Sequence, residues 1–368
     1  MSAENNVIPW WLPEINGSEW PLVRKVIDSN FLNDGKVTED FESRITDIVG
    51  TRYAVGVTSG TTALYLSLLA AGVGVGDEVV VPDMTFIATA NAVAMTGAKV
   101  VLVDVDEETL TMSPEAFGHA ITPKTKAVIP VHVSGRGGTL NRICEIAKNH
   151  GIAVVEDAAE ALGSVYCGKK LGSFGLTGCF SFSPNKTITT GQGGMIVTND
   201  EAVHVRLREL KDQGRPVRGT GGDDVHASFG SNFKLTNLQS AVGLGQLESL
   251  ASRMERQRSI HRIYRNRLKD LLGLRVLPFN VEGGECPQWT DVVVEKRNEL
   301  DAFLKSRGAH CRRFWFPIHT QKPYFQKDDA YPNSTKLSPQ SLWLPSAFQM
   351  TDADAERVCG MVCEFFKQ

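Results

Sequence analysis

Nowhere does the chain hold an uninterrupted apolar stretch of about 18 residues, so no transmembrane helix is expected. Its opening, MSAENNVIPWWLPEING, carries acids and no basic run ahead of an apolar core, which argues against a secretory leader. Positive charge is not in excess either. A formal net charge of −3 provides no broad field for nucleic acid, so any anionic ligand has to be held locally. CxxC pairs are missing: Cys144, Cys167, Cys179, Cys286, Cys311, Cys359 and Cys363 form an odd, scattered set that fits neither a disulfide framework nor a zinc ribbon. Cys359 and Cys363 lie one helical turn apart, but no His or second Cys pair completes a metal site, so packing is the expected role. There is no internal repeat and no low-complexity tract. We therefore expect a cytoplasmic, untethered chain with reduced thiols, no metal, and neither nucleic acid nor membrane as partner.

What is present is the composition of a soluble globular protein, 42% hydrophobic and 22% charged. At 368 residues the chain exceeds one ordinary core, so a large domain over 1–250 and a small one over 251–368 are expected, the N-terminal segment being free to pack on the small one. Between about residues 50 and 200, short apolar runs alternate with helical stretches: YAVGV, EVVVP, AKVVLVD, KAVIPVH, GIAVVED and GGMIVTND. That rhythm predicts an α/β domain with a largely parallel, buried sheet. Ser113-Pro114-Glu115 reads as an N-cap with Pro in the first turn, and TLNRICEIAKNHG as an amphipathic helix with a Gly stop. Residues 234–270 read as mainly helical. Beyond them LRVL and DVVVE suggest strands, KRNELDAFLKSRG a helix, and the segment after Thr351 a terminal helix, together a small α+β unit.

The chemistry-bearing residues fall where ligands of open α/β sheets bind, at the carboxyl ends of strands. Asp157 ends GIAVVED. Lys186, in FSFSPNKTITTGQGG, follows a β-like run and precedes a Gly-rich turn, a half-buried setting in which a lysine loses its proton readily enough to form an imine. Thr58-Ser59-Gly60-Thr61-Thr62 is a strand end running into a helix whose first N–H groups suit a phosphate, with the Ser181 hydroxyl as a further donor. Phe86, in VPDMTFIATANAV, offers an aromatic face. Each has an ordinary reading on its own: a cap for the TSGT turn, a cap for the Asp, a surface lysine, a core phenylalanine. Together and in this order they supply what pyridoxal 5'-phosphate (PLP) requires: a Schiff-base lysine, a carboxylate for the ring nitrogen, a phosphate cradle and a stacking face.

SGTTAL, GDEVVVPDMTFIATANAV, VVEDAAEALGS, FSFSPNKTITTGQGGMIVTND and FGSNFKLTNLQSAVGLGQL resemble, in order and spacing and over nearly the whole chain, the sugar-nucleotide aminotransferase family of fold-type I PLP enzymes. The resemblance implies a mostly parallel mixed sheet flanked by helices plus a smaller α+β C-terminal domain. It implies Lys186 as the Schiff-base residue, Asp157 on the pyridine nitrogen, Glu160 at the ring's other polar edge, and Gly60, Thr61 and Ser181 on the phosphate. Asn232 would reach the phosphate of a neighbouring subunit, making a homodimer with shared sites, and His319 would lie on the substrate side of the cleft. The cofactor would alternate with pyridoxamine 5'-phosphate, L-glutamate would be the amino donor, and a nucleotide-linked keto-sugar the acceptor. EDAAEA, KTITTGQGGM and FWFPIHTQKPY are most similar to members that aminate C4 of GDP-linked 4-keto-6-deoxymannose, with UDP- or dTDP-linked keto-sugars as alternatives. Gln192, Lys234 and Ser183 depart from the family's common Glu, Arg and His or aromatic residue, and ECPQWTDVVVE matches thinly. These departures bear on the sugar rather than on the cofactor.

Rival readings are weaker. The glycines of AAGVGVGDE follow a helix and precede a strand, the reverse of a dinucleotide fingerprint. A PLP-dependent sugar dehydratase of this scaffold carries histidine in place of Lys186, and a non-catalytic PLP-binding regulator would need a partner-binding extension. Arg206, Arg208, Lys211, Arg215 and Arg218 cluster before a Gly-rich loop, which reads as a solvated helix face.

Overall fold

Short β-branched runs in the first half of the chain become strands: β1 (Tyr53–Val57), β2 (Glu78–Pro82), β3 (Lys99–Val103), β4 (Thr125–Val128) and β5 (Ala153–Asp157). After a hairpin of β6 (Val165–Tyr166) and β7 (Lys169–Lys170) come β8 (Thr177–Ser181) and β9 (Gly194–Thr198). The computed structural model describes residues 7–216 and 224–367. Seven of these strands form one sheet in the order β1-β9-β8-β5-β4-β2-β3. β8, β5, β4, β2 and β3 are parallel, and β9 runs against both of its neighbours. Every residue of β2 and β9 is buried, as a sheet covered on both faces demands.

Helices α1 (Glu19–Asp28) and α2 (Lys36–Val49) precede the sheet, and α3 (Gly60–Ala70), α4 (Ala88–Met95), α5 (Pro114–Ala120), α6 (Leu140–His150) and α7 (Glu201–Lys211) connect or follow its strands. Their limits follow local chemistry. Ser113 Oγ accepts from the Ala116 N–H at 3.2 Å to start α5, and Gly151, at φ 66°, turns the chain out of α6. On one side of the sheet Leu64, Leu66 and Leu68 of α3 pack against Val79, Val81, Val155 and Ile196; on the other, Phe41 and Ile45 of α2 meet Phe180, Phe182 and Val197.

α8 (Asn237–Leu247), opened by a Thr236/Gln239 capping box, leads into α9 (Leu250–Leu268). β10 (Leu274–Val276), β11 (Thr290–Val294), β12 (Arg312–Arg313) and β13 (Ser341–Leu344) then form an antiparallel sheet in the order β10-β11-β13-β12. α10 (Arg297–Ser306), α11 (Pro332–Leu337) and α12 (Asp352–Phe365) complete the chain. Ile260 and Tyr264 of α9, Leu300 and Leu304 of α10, and Val358, Cys359 and Val362 of α12 form a core with Val292, Leu342 and Leu344. The N-terminal segment joins this unit: Ile8 pairs in parallel with Ala309 and is buried in the same core.

A further apolar cluster is the seam between the two sheets. Trp10, Trp11, Trp289, Phe314 and Trp343 pack there with Met84, Val131 and Val133 from the large sheet's loops. Trp289 and Trp343 stand 4.9 Å apart and Phe314 and Trp343 4.2 Å, tilted as ring quadrupoles prefer. Arg136, buried, ties the two sheets further by donating to Asp291 at 2.7 Å. Among the described residues no helix is long and apolar enough to cross a membrane.

Candidate active site

The carboxyl ends of β5 and β8, the N-terminus of α3 and the start of α4 open onto one cavity of about 320 Å³, roofed by the aromatic seam. Asp157, the last residue of β5, lies on its floor, only 7% exposed. One carboxylate oxygen accepts from Thr89 Oγ1 at 2.8 Å and the other from the Ala159 N–H at 3.2 Å. Burial pushes its pKa up, opposed by those two donors and by the charge of Lys186. A buried carboxylate with neutral donors and a free side toward a cavity is suited to a second cation there.

Lys186 sits in the turn after β8. Its Nζ donates to Glu160 Oε1 at 3.1 Å and lies 5.3 Å from the Trp289 ring centroid. Glu160 is held in turn by the Ser134 N–H at 2.9 Å. The lysine turn is braced from behind, because its carbonyls at Pro184, Asn185 and Thr187 accept from Trp11 Nε1, Gln288 Nε2 and Arg253 Nη1 at 3.2, 2.9 and 3.1 Å. Three side chains from the N-terminal segment, α9 and the loop before β11 therefore fix the loop that carries Lys186.

At α3 the Ser59 side chain caps the helix by accepting from the Thr62 N–H at 3.1 Å, and the first main-chain bond of the helix is Ala63 N–H to Ser59 O. Gly60 and Thr61 thus precede the internal bonding of the helix, at its positive end. Glycine is required for close approach: a Cβ at Gly60 would lie 2.9 Å from Ser181 Cβ, and one at Gly194 would lie 2.3 Å from Ser59 O. Ser181 lines the same corner. Phe86, 53% exposed, lines the cavity just ahead of α4 with its ring free to stack. A half-buried lysine, a buried carboxylate, an anion-suited helix end and an open aromatic face fit PLP.

The sequence candidates do not all converge. Lys186, Asp157, Glu160, Gly60, Thr61, Ser181 and Phe86 line one cavity, as do Ser183 and Gln192. Asn232 is exposed, bridges to Asp212 in the main chain and does not line the cavity of its own chain. His319 does not line it either. It is fully buried, with Nδ1 2.7 Å from Asp83 Oδ2, Nε2 3.1 Å from Asp328 Oδ1, and its ring stacked on Tyr331. It ties the segment at 317–331 to the loop after β2 that carries Phe86. The basic cluster is not a solvated face: Lys211 is 1% exposed between Asp34 and Glu42, Arg208 pairs with Glu42, and Arg206 and Arg215 pair with Glu209 and Asp224. Arg218 lies outside the described residues. Lys234 pairs with Asp212 at 2.6 Å.

Other lining residues went unread in the sequence. His132, which closes the KAVIPVH run much as Asp157 closes its own, is buried with Nε2 2.8 Å from Glu156. Trp289, Arg312, Trp315 and Trp343 come from the small sheet and its approaches, Trp315 and Trp343 within the FWFP and SLWL runs and Arg312 two residues before the first.

The chain matches the DegT/DnrJ/EryC1/StrS aminotransferase family over residues 13–363. It is 36% identical over 364 residues to the GDP-perosamine synthase of Escherichia coli O157:H7, covering 98% of each chain. It is also 36% identical to the GDP-perosamine synthase of Caulobacter vibrioides, covering 94% of this chain and 95% of that one. The crystal structure of the aminotransferase TlmJ from Streptoalloteichus hindustanus superposes with a TM-score of 0.91 at 30% identity, covering 97% and 98% of the two chains. With the match covering nearly its whole length, the chain belongs to the DegT/DnrJ/EryC1/StrS aminotransferase family of PLP-dependent sugar aminotransferases.

Proposed function

We propose that the chain transfers the amino group of L-glutamate to a nucleotide-linked 4-keto-6-deoxy sugar, with GDP-4-keto-6-deoxymannose as acceptor and GDP-perosamine as product. The observation that carries the reading is a cavity in which Lys186, Asp157 and the α3 N-terminus converge, in a chain full-length similar to two GDP-perosamine synthases. When bound, PLP supplies a ring that withdraws electrons from the carbon losing its proton. Lys186 is its covalent anchor, and the freed Nζ takes the proton from the donor's Cα and later delivers one to the sugar carbon that receives the amine. Asp157 holds the ring nitrogen protonated, Phe86 covers a ring face, Glu160 steers Lys186 and the ring's other polar edge, and Gly60, Thr61 and Ser181 hold the phosphate. L-Glutamate leaves as 2-oxoglutarate, and the keto-sugar leaves with its C=O replaced by CH–NH2. The working form in this reading is a cytoplasmic homodimer in which the partner copy's Asn232 completes the phosphate site, consistent with its exposure here.

The test is an absorbance spectrum of PLP-loaded protein before and after L-glutamate, then with GDP-, UDP- and dTDP-linked keto-sugars in turn. The PLP band should fall with glutamate and return with the GDP-linked 4-keto sugar. Return with a different sugar alone replaces the acceptor; no response to glutamate removes the donor.

A further inference from the structure

The stretch from Arg312 to Pro317 serves two cavities. Arg312 and Trp315 line the cofactor cavity, where the Arg312 guanidinium, without an ion pair among the described residues, lies 4.7 Å from the Trp10 ring centroid and 5.5 Å from that of Trp343. Arg313, Phe316 and Pro317 line a second cavity of about 200 Å³, which shares no lining residue with the first and is closed by the start of α10 and by α11 with the turn that follows it.

Arg297, the first residue of α10, lines this second cavity and is only 7% exposed. Among the described residues its guanidinium has no ion pair: Nη1 reaches the Ser341 carbonyl at a long 3.5 Å, and Nε is buried without a partner. Burial lowers its pKa, and the charge of Arg313 lowers it further against the opposing charge of Asp301. Asp301 is already spent on Arg313, whose Nε donates to its Oδ2 at 2.8 Å. Thr335 Oγ1, in the same lining, is likewise buried without a partner. A buried charge is normally matched by a counter-charge, because its desolvation outweighs what one neutral contact returns. Two arginines sharing one spent carboxylate leave this cavity short of negative charge. Its remaining faces are flat and apolar: Phe316, 74% exposed, with Pro317 and Pro339.

We propose that this cavity is a second ligand site, taking a small anion, phosphate or carboxylate, carried on a planar ring. Arg297 and Arg313 receive the anionic head, whose oxygens suit their planar forks, with the Thr335 hydroxyl beside them. The ring lies against Phe316 and the prolines. At about 200 Å³ the cavity is below the range of pockets for larger ligands, so the occupant is a single ring with its head group rather than a nucleotide sugar.

The test uses PLP-loaded protein, so that the phosphate corner at α3 is filled, titrated calorimetrically with phenyl phosphate and with benzoate. One of the two should bind saturably at one site per chain, and the tighter of them names the head group. Arg313 has a half-exposed side chain, so Arg313→Gln leaves the core intact; the Kd should rise about ten-fold there and about 30-fold in Arg297→Gln. Conversion of L-glutamate should keep its rate in Arg313→Gln. Arg297→Met separates binding from a structural role. Without ligand it should melt at or above the wild-type temperature, since an unmatched buried charge is gone, and the bound probe should raise the melting temperature of wild type alone. Binding of neither probe overturns the site, as does binding that survives both Gln substitutions or an Arg297→Met chain that melts well below wild type. Displacement of the probe by GDP also overturns it, because the cavity then belongs to the nucleotide-sugar site.

Discussion

On the large-sheet side of the cavity the ionisable side chains are answered: Asp157 by Thr89 and Ala159, Lys186 by Glu160, Glu160 by Ser134, His132 by Glu156. On the small-sheet side the lining is Trp289, Trp315 and Trp343, with an unanswered arginine and an unanswered indole N–H. The difference follows from what each wall has to do in a transaminase. A resident cofactor rewards a wall fixed in advance, because no reorganisation is needed at each turnover. In the proposed reaction the opposite, substrate wall receives two unlike molecules in alternation, so broad aromatic faces with one adaptable cation suit it better than a set of paired hydrogen bonds.

Removing groups from the answered wall should cost the most. Lys186→Ala deletes anchor and base together, so glutamate-dependent 2-oxoglutarate formation should fall by at least about 10⁴-fold. The fold should survive with a melting temperature within about 5 °C of wild type, since one half-buried ion pair is lost. Normal transamination by this variant would break the assignment of the wall. Asp157→Asn keeps a partner for Thr89 but removes the charge, and kcat should fall about 10²–10³-fold. Its signature is also thermodynamic. The pKa of Asp157 in the folded, cofactor-free chain lies above its unfolded value. The group's contribution to stability is therefore fully present below about pH 4, the unfolded value, and is lost as pH rises through the folded pKa. Wild type minus Asp157→Asn melting temperature should thus decline with rising pH for the cofactor-free protein. With PLP bound the decline should vanish or reverse, because a ring cation favours the ionised carboxyl; an identical slope with and without PLP separates Asp157 from the ring nitrogen.

The same contrast governs what could be read before the fold. The answered wall is built from residues at strand ends and helix starts, so Asp157, Gly60 and Lys186 sit at punctuation points that local pattern reveals. α2 carries a helical period, with Phe41, Ile45 and Val49 on one face, that went unread in the sequence. β13 (SLWL) is buried at all four positions and shows no alternation, so only Pro339 and Pro345, which bracket it, mark its limits. The substrate wall was hidden for a related reason. Trp10, Trp289, Arg312 and Trp343 are far apart in sequence and meet only because the N-terminal segment pairs at Ala309 and β12 pairs with β13. His319 shows the converse: a motif placed it near the site, but its two ring nitrogens are taken by Asp83 and Asp328, which no local pattern announces.

Gly60→Ala probes the corner where α3 meets β8. The added Cβ would stand 2.9 Å from Ser181 Cβ, so the helix start or Ser181 must shift by a few tenths of an ångström. Overpacking of this kind costs about 1–3 kcal/mol, and if it is taken from phosphate binding the PLP Kd should rise about 10- to 100-fold. Titration of the cofactor-free protein with PLP measures it, and unchanged affinity moves the phosphate away from α3.

The smallest effect is expected on the unanswered wall. Trp315 is half-buried, edge-on to Trp343 at 4.9 Å, and anchored through its carbonyl, which accepts from Ser338 Oγ at 2.7 Å. Trp315→Ala therefore removes a face while the backbone stays tied, unlike Trp343, whose fully buried ring would leave a cavity. Loss of one stacking surface for a sugar or base is worth about 1 kcal/mol, so KM for the nucleotide sugar should rise about five-fold with kcat nearly constant. A fall in kcat with KM unchanged would mean that this wall, like the opposite one, acts on the reacting atoms, and the division of labour between the two would not hold.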